Sequence, residues 1–321
     1  MLKAPSVERF PEALAVIRRD MAEVEVGRGN TAHARELLDA AQAFWNRDPD
    51  RYRAPLLESR TIQSRIERAE GKTDAAIATL QQALRDANLS GGGKPTLQRM
   101  QLEGALFATY FSAKRLEAKA YAEAAMRDCE ALNMTESSDC QAALNNVASA
   151  SGVLGDLPGA EKAFRRLLAI RKEIAPDSES TAIVQENLAV ILSMQGKRVE
   201  AIPLLQEALP MLAAKGGGEA ARSVMYGRSA LADMLVMEER YDEAAPLVDT
   251  QLRLAHGEQG EGAVLVETAR RARAAIRISR GDIAGARADL ALAERLIKAM
   301  GPAGAQEMVG LERVRAMLPK P

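Results

Sequence analysis

A chain of 321 residues with 47% hydrophobic content is long enough for one extended helical array or for two ordinary domains. Aromatics are only 3%, and a formal net charge of -1 removes any general attraction to nucleic acid or to an anionic membrane surface. No run of roughly 18 apolar residues occurs, so no segment reads as a bilayer span.

The opening, MLKAPSVERFPEALAVIRRD, has charges and prolines where a signal peptide would carry its apolar core. A helical pattern begins almost at once, which suggests a piece attached to a larger regulator. From there amphipathic helix pairs recur. The first pair falls at about 11–46, with its helices near 11–28 and 31–46, and Pro49 ends it. A second runs over 52–88. The triplet Gly91-Gly92-Gly93 with Pro95 reads as a mobile connector. Further pairs follow at 96–132, 138–174 and 179–214. A second triple glycine, Gly216-Gly217-Gly218, precedes pairs at 219–256 and 262–300. The stretch 303–318 places Met308, Leu311, Val314, Arg315 and Leu318 at helical spacing, as expected of a helix capping an array's exposed end. The alternative is that it folds back as a ligand of its own chain.

The best-defined pair, Glu179 to Ala214, turns at Gln195-Gly196-Lys197. Val184, Leu188, Ile191 and Leu192 line one helix, and Ala201, Leu204, Leu205, Ala208 and Leu209 line the other. Neither helix could bury its stripe alone. The turn hexapeptide GKRVEA at Gly196 has counterparts starting at Gly29, Gly71, Ala113, Gly155, Glu239 and Gly281. By subtraction the starts lie 42, 42, 42, 41, 43 and 42 residues apart. Each ends in alanine: Ala34, Ala76, Ala118, Ala160, Ala201, Ala244 and Ala286. A period this regular is a repeat array. Thr31, Thr73, Asp156 and Asp282 stand where they could cap second helices, and Pro210 lies deep enough to bend or fray its helix.

A small residue, seven more, a turn glycine, five more and an alanine: this pattern resembles the tetratricopeptide repeat. The 42-residue period, with NNVA at Asn145, ENLAVILSMQGKRVEAIPL at Glu186 and the linker APDSES at Ala175, is similar to the kinesin-light-chain variety. The resemblance implies an all-α fold over 1–321: a right-handed superhelical α-solenoid of seven helix-turn-helix repeats plus the capping helix. It also implies that the first (A) helix of each repeat lines a concave groove. Nine residues before the turn stand Asn146 and Asn187, where the family presents an amide to a bound peptide; an amide both donates and accepts. Around them the inferred groove holds Met100, Phe107, Phe111, Val153, Ile183, Val190, Met194, Tyr226, Asp233 and Met237. Where relatives clamp a terminal carboxylate with Lys or Arg, this chain has Tyr226, Ala230, Thr268 and Ala272, a departure that argues against such a clamp.

Catalytic signatures are sparse. His33 and His256 lie in different repeats, with no HExxH or Cys/His cluster. There is no Walker-type loop and no nucleophile elbow, and Gly257 to Gly262 reads as an inter-helix loop. No enzyme, cofactor or metal is expected. Cys129 and Cys140 fall at adjacent helix ends, where two reduced thiols or a disulfide are equally open readings. A bridge would imply an extracytoplasmic compartment, its absence a cytoplasmic one. The expected function is an interaction module that binds a peptide segment of a partner protein, serving as the sensor or scaffold arm of a bacterial signalling protein. The alternatives are a ligand-gated domain enclosing a small peptide or metabolite, and a homo-oligomeric scaffold.

Overall fold

The computed structural model describes residues 10–215, 218–254 and 260–319. The second triple glycine lies largely outside these residues, as do His256, the first nine residues and the first half of the Gly257–Gly262 stretch, whose second half is helical rather than loop. The described chain is helical without a strand. It forms two compact units, Met1–Ala163 and Phe164–Pro321.

The first unit holds α1 (Pro11–Gly27), α2 (Thr31–Trp45), α3 (Arg53–Ala69), α4 (Thr73–Ser90), α5 (Leu97–Ser112), α6 (Ala118–Ala131) and α7 (Ser138–Val153). Helix α8 (Leu157–Ile174) spans the division. The second unit continues with α9 (Glu179–Met194), α10 (Arg198–Lys215), α11 (Gly218–Met237), α12 (Tyr241–Leu254), α13 (Gly260–Ser279), α14 (Ile283–Ala299) and α15 (Ala305–Arg315). Within each unit a hairpin packs internally, its second (B) helix packs on the next A helix, and successive A helices touch: α1–α3–α5–α7 and α9–α11–α13. That nearest-neighbour pattern defines a solenoid.

Each hairpin turns on one residue with φ between 55° and 81°: Gly29, Gly71, Lys114, Gly155, Gly196, Glu239 and Gly281. At the best-defined turn, Lys197 N donates to Leu192 O at 2.8 Å and Gly196 N to Ser193 O at 2.9 Å, a Schellman closure that needs the left-handed residue. The repeat alanines sit against the partner helix; six are fully buried and Ala118 is 4% exposed. With only a methyl group at that point, the two helices approach closely, and larger aliphatics interdigitate around it.

Several local expectations are corrected. Ala113 occupies the glycine position of the sequence repeat, but the left-handed residue is Lys114, so the third turn comes one residue late. Asp156 and Asp282 cap their helices through Gly159 N (3.1 Å) and Gly285 N (2.9 Å), whereas Thr31 and Thr73 are already inside theirs. The side-chain caps on A helices come instead from Thr96, Ser137 and Ser178. Helix α10 runs through Pro210 to Lys215 without a break. The connector at Gly91–Pro95 is held rather than loose: Gly92 and Gly93 are left-handed, and Arg99 Nη1 donates to Gly93 O at 2.8 Å. Cys129 on α6 and Cys140 on α7 form a disulfide with Cα atoms 5.5 Å apart.

Candidate ligand-facing surface

Counting back from the left-handed turn residue gives every A helix the same frame. Positions thirteen, nine, six and two before it share one helical face. On α9 these are Ile183, Asn187, Val190 and Met194; on α11, Tyr226, Ala230, Asp233 and Met237; on α7, Ala142, Asn146, Ser149 and Val153. Most of the expected groove residues therefore fall in one register. Ile183, Val190 and Met194 are 38%, 42% and 59% exposed, and Met237 is 41% exposed. Asn146 and Asn187 are half-buried. Asn146 lines a hollow of about 230 Å³ with Met100, Gln101, Gly104 and Ala142.

Phe107 departs from that expectation. It is 5% exposed and packs in the core with Leu102, Leu106 and Tyr110, and Met100 is buried as well. The cause is the late third turn. One residue rotates the frame by about 100°, so the same register on α5 falls at Gln101, Ala105, Ala108 and Ser112, and the aromatics turn inward. Phe111 is half-buried and shares a second hollow of about 370 Å³ with Val153, Leu116, Leu154 and Lys114 at the turn end of α5 and α7.

On α13 the equivalent positions are Thr268, Ala272, Ala275 and Ser279. Ala272 is 2% exposed and Ala275 is fully buried. They are covered because α15 lies over them: Leu311 and Val314 pack with Ala275, Leu290 and Ile297. The C-terminal helix thus caps α14 and also covers this register of the last hairpin. Between α11, α13 and α15 remains a hollow of about 230 Å³ lined by Asp233, Met237, Arg271 and Arg313. Arg313 Nη1 donates to Met237 Sδ at 3.5 Å.

This corner concentrates charge. Arg271 is 3.1 Å from both Asp233 and Glu267 and 3.9 Å from Glu307 of α15. Glu267 is fully buried, and its Oε2 has no hydrogen-bond partner. Burial pushes its carboxyl up to about 7; Arg271 pulls it back, while Glu307 and Asp233 add to the rise. Glu103 in the first unit behaves alike, raised to about 7 by burial and then by Asp128, with Arg99 and Arg127 opposing. On the opposite flank of α13 three arginines converge on one buried carboxylate: Arg270, Arg273 and Arg277 reach Asp289 at 2.9, 2.6 and 2.9 Å. Burial works to raise Asp289, yet the hydrogen bonds from Arg273 and Arg270 outweigh it and hold the carboxyl below its ordinary range. The Glu103 and Asp289 clusters lie inside single hairpins and the Arg271 cluster ties α11, α13 and α15 together, so all three read as structural. Among the described residues no group of His, Cys, Asp or Glu is placed to hold a metal, and no helix is long and apolar enough to cross a membrane.

Hairpins stacked B-on-A, left-handed turns at the repeat period and a buried alanine after each turn together define an all-α solenoid of tetratricopeptide type. Residues 139–214 match the family model described as tetratricopeptide repeat, and the fold of the chain is that of tetratricopeptide-repeat and kinesin-light-chain-like proteins. Several solved structures are similar to it, three of them as follows. The putative kinesin light chain repeats of Podosopora anserina are 19% identical, with a TM-score of 0.53, covering 63% of this chain and 97% of that one. PilF of Pseudomonas aeruginosa is 18% identical, with a TM-score of 0.54, covering 76% and 93%. The apo form of RapI is 12% identical, with a TM-score of 0.57, covering 89% and 99%. At these identities the likeness is one of fold. No curated protein matches the sequence. Tetratricopeptide repeats are generally non-catalytic modules that engage protein partners, and the fold points to an interaction scaffold.

Proposed function

We propose that this chain is a non-catalytic scaffold that holds a segment of a partner protein on the A-helix face of α9 and α11. One observation carries the reading: α9 leaves Ile183, Val190 and Met194 exposed on a single face around the amide of Asn187. Scattered exposed aliphatics are ordinary, but a contiguous file of them beside a polar group that both donates and accepts favours a bound segment. Methionines at Met194 and Met237 let such a surface adapt to varied side chains. The face ends where α15 covers hairpin seven, which directs the segment towards α9 and α11. By analogy of fold alone, the scaffold serves as the sensor or regulatory arm of a larger bacterial signalling protein.

A photo-crosslinking amino acid at Val190 tests the reading, with one at exposed Glu207 on α10 as control. In cells of the source organism the Val190 probe should give a discrete partner adduct that Asn187→Ala with Met194→Glu abolishes. Equal labelling from both positions, or an adduct indifferent to those substitutions, would remove the face from consideration.

A further inference from the structure

The A helices carry a second register, twelve, eight and five residues before the left-handed turn residue. Inside the array it is covered. On α9 these positions are Val184, Leu188 and Ile191, at 4%, 1% and 6% exposure. On α3, α5, α7, α11 and α13 they are buried or half-buried as well. On α1 the same positions are Ile17, Met21 and Val24, and they are 46%, 46% and 52% exposed. Phe10, at 65%, and half-buried Leu14 extend the stripe, so apolar residues recur at spacings of four, three, four and three along one flank. That is the seam of a helix packed lengthwise on another helix. Among the described residues, α1 carries the apolar set that other A helices bury, and leaves it uncovered.

The remaining hairpins specify what sits on such a flank. A preceding B helix presents residues nine, twelve and sixteen past its turn: Leu80, Ala83 and Ala87 on α4 cluster with Leu102 and Leu106 of α5. Hairpins one, two, five and seven carry leucine, alanine and a further apolar residue at those places, whereas hairpins three, four and six do not. At the other end of the array the corresponding stripe of α14 is already taken by Leu311 and Val314 of α15. A second copy therefore has no free B-type stripe to offer in head-to-tail stacking. Charge narrows the occupant further. Arg19 and Glu23 are engaged by Glu58 and Arg65 of α3. Arg18 is half-buried and makes no ion pair among the described residues.

We propose that the bare flank of α1 is an interaction surface for an amphipathic helix of a separate polypeptide, one with a Leu-x-x-Ala-x-x-x-(Leu, Ile or Trp) stripe and an acidic residue facing Arg18. This surface is separate from the A-helix ligand face and stands whether or not that face binds a segment.

The test uses the full chain and, as probe, a fluorescent, hydrocarbon-stapled peptide with the sequence of α14, Ile283–Ala299. This peptide carries Leu290, Ala293 and Ile297 with acidic Asp289 and Glu294 beside them. Fluorescence anisotropy should show saturable binding to the wild-type chain, weakened at least about 100-fold by Ile17→Glu with Met21→Glu. Arg18→Glu should weaken it about fivefold or more, with a reduced dependence on salt. Ile17 and Met21 are exposed and Arg18 is half-buried, so the variants should keep the wild-type circular dichroism and melting curve; a variant that does not is replaced by Val24→Glu. Failure of the peptide to bind, or equal binding to wild type and the Ile17→Glu, Met21→Glu variant, would overturn the proposal. So would light scattering that finds a wild-type dimer converted to monomer by those substitutions, because a second copy would then own the face.

Discussion

Replacing Glu267 by glutamine should stabilise the chain at alkaline pH and change little in acid. The side chain is fully buried, and its carboxyl is raised to about 7 from an ordinary 4.5. The folded state therefore keeps a proton that the unfolded chain releases. Stability is highest below the unfolded value, falls as pH rises from about 4.5, and levels off above about 7, because charging the buried group then costs the same at every higher pH. A difference of this size corresponds to on the order of 3 kcal/mol at pH 8 and under about 1 kcal/mol at pH 5. Glutamine keeps an oxygen to accept from Arg271, as Glu267 Oε1 does at 3.1 Å, and has no charge to bury. Urea denaturation of wild type and Glu267→Gln at both pH values, with hydrogen exchange read on α13 and α15, measures the effect. A difference that is the same at pH 5 and pH 8, or a variant less stable at pH 8, would refute the reasoning.

Asp289→Asn leaves three arginines around a neutral amide. Since those arginines are a quarter to a third exposed, the cost should be about 2–3 kcal/mol at pH 7, below that of a fully buried pair, and should shrink in acid as wild-type Asp289 protonates; chemical denaturation at pH 7 and pH 3 tests both. Ala201→Leu pushes three extra carbons into the tightest point of hairpin five and should cost about 1–3 kcal/mol by thermal melting, whereas exposed Ala213→Leu should be within about 0.5 kcal/mol of neutral. Cys129→Ser with Cys140→Ser opens a loop of 11 residues' separation, and without reductant the double variant should lose about 2–3 kcal/mol; equal melting of the two forms would show that the bridge contributes nothing.

Most of the architecture was legible because it rests on periodicity. A small residue must follow each turn where two helices meet, and a left-handed residue must precede it, so the pattern returns at a fixed spacing wherever a hairpin occurs. Frame was harder to read. At the third turn, sequence similarity puts Ala113 in the glycine position, yet a lysine takes up the left-handed conformation one residue later. That single step carried Phe107 from the expected groove into the core. The placement of α15 was legible only in part. Its stripe announced a cap, but nothing in the spacing of Leu311 and Val314 says that Ala275 of α13 lies beneath them as well as α14. The buried carboxylates Glu103 and Glu267 were invisible to sequence reading, because one charged residue among apolar neighbours looks like any solvated position until the packing around it is known.

The bond between Cys129 and Cys140 lies at a joint, where the third hairpin hands over to the fourth. A stack held by nearest-neighbour contacts comes apart by fraying, one hairpin after another from a free end. A covalent stitch across one joint halts that unravelling as a knot halts a run in knitted cloth. Loss of order at one end then stays on its own side of the stitch until a reductant cuts it.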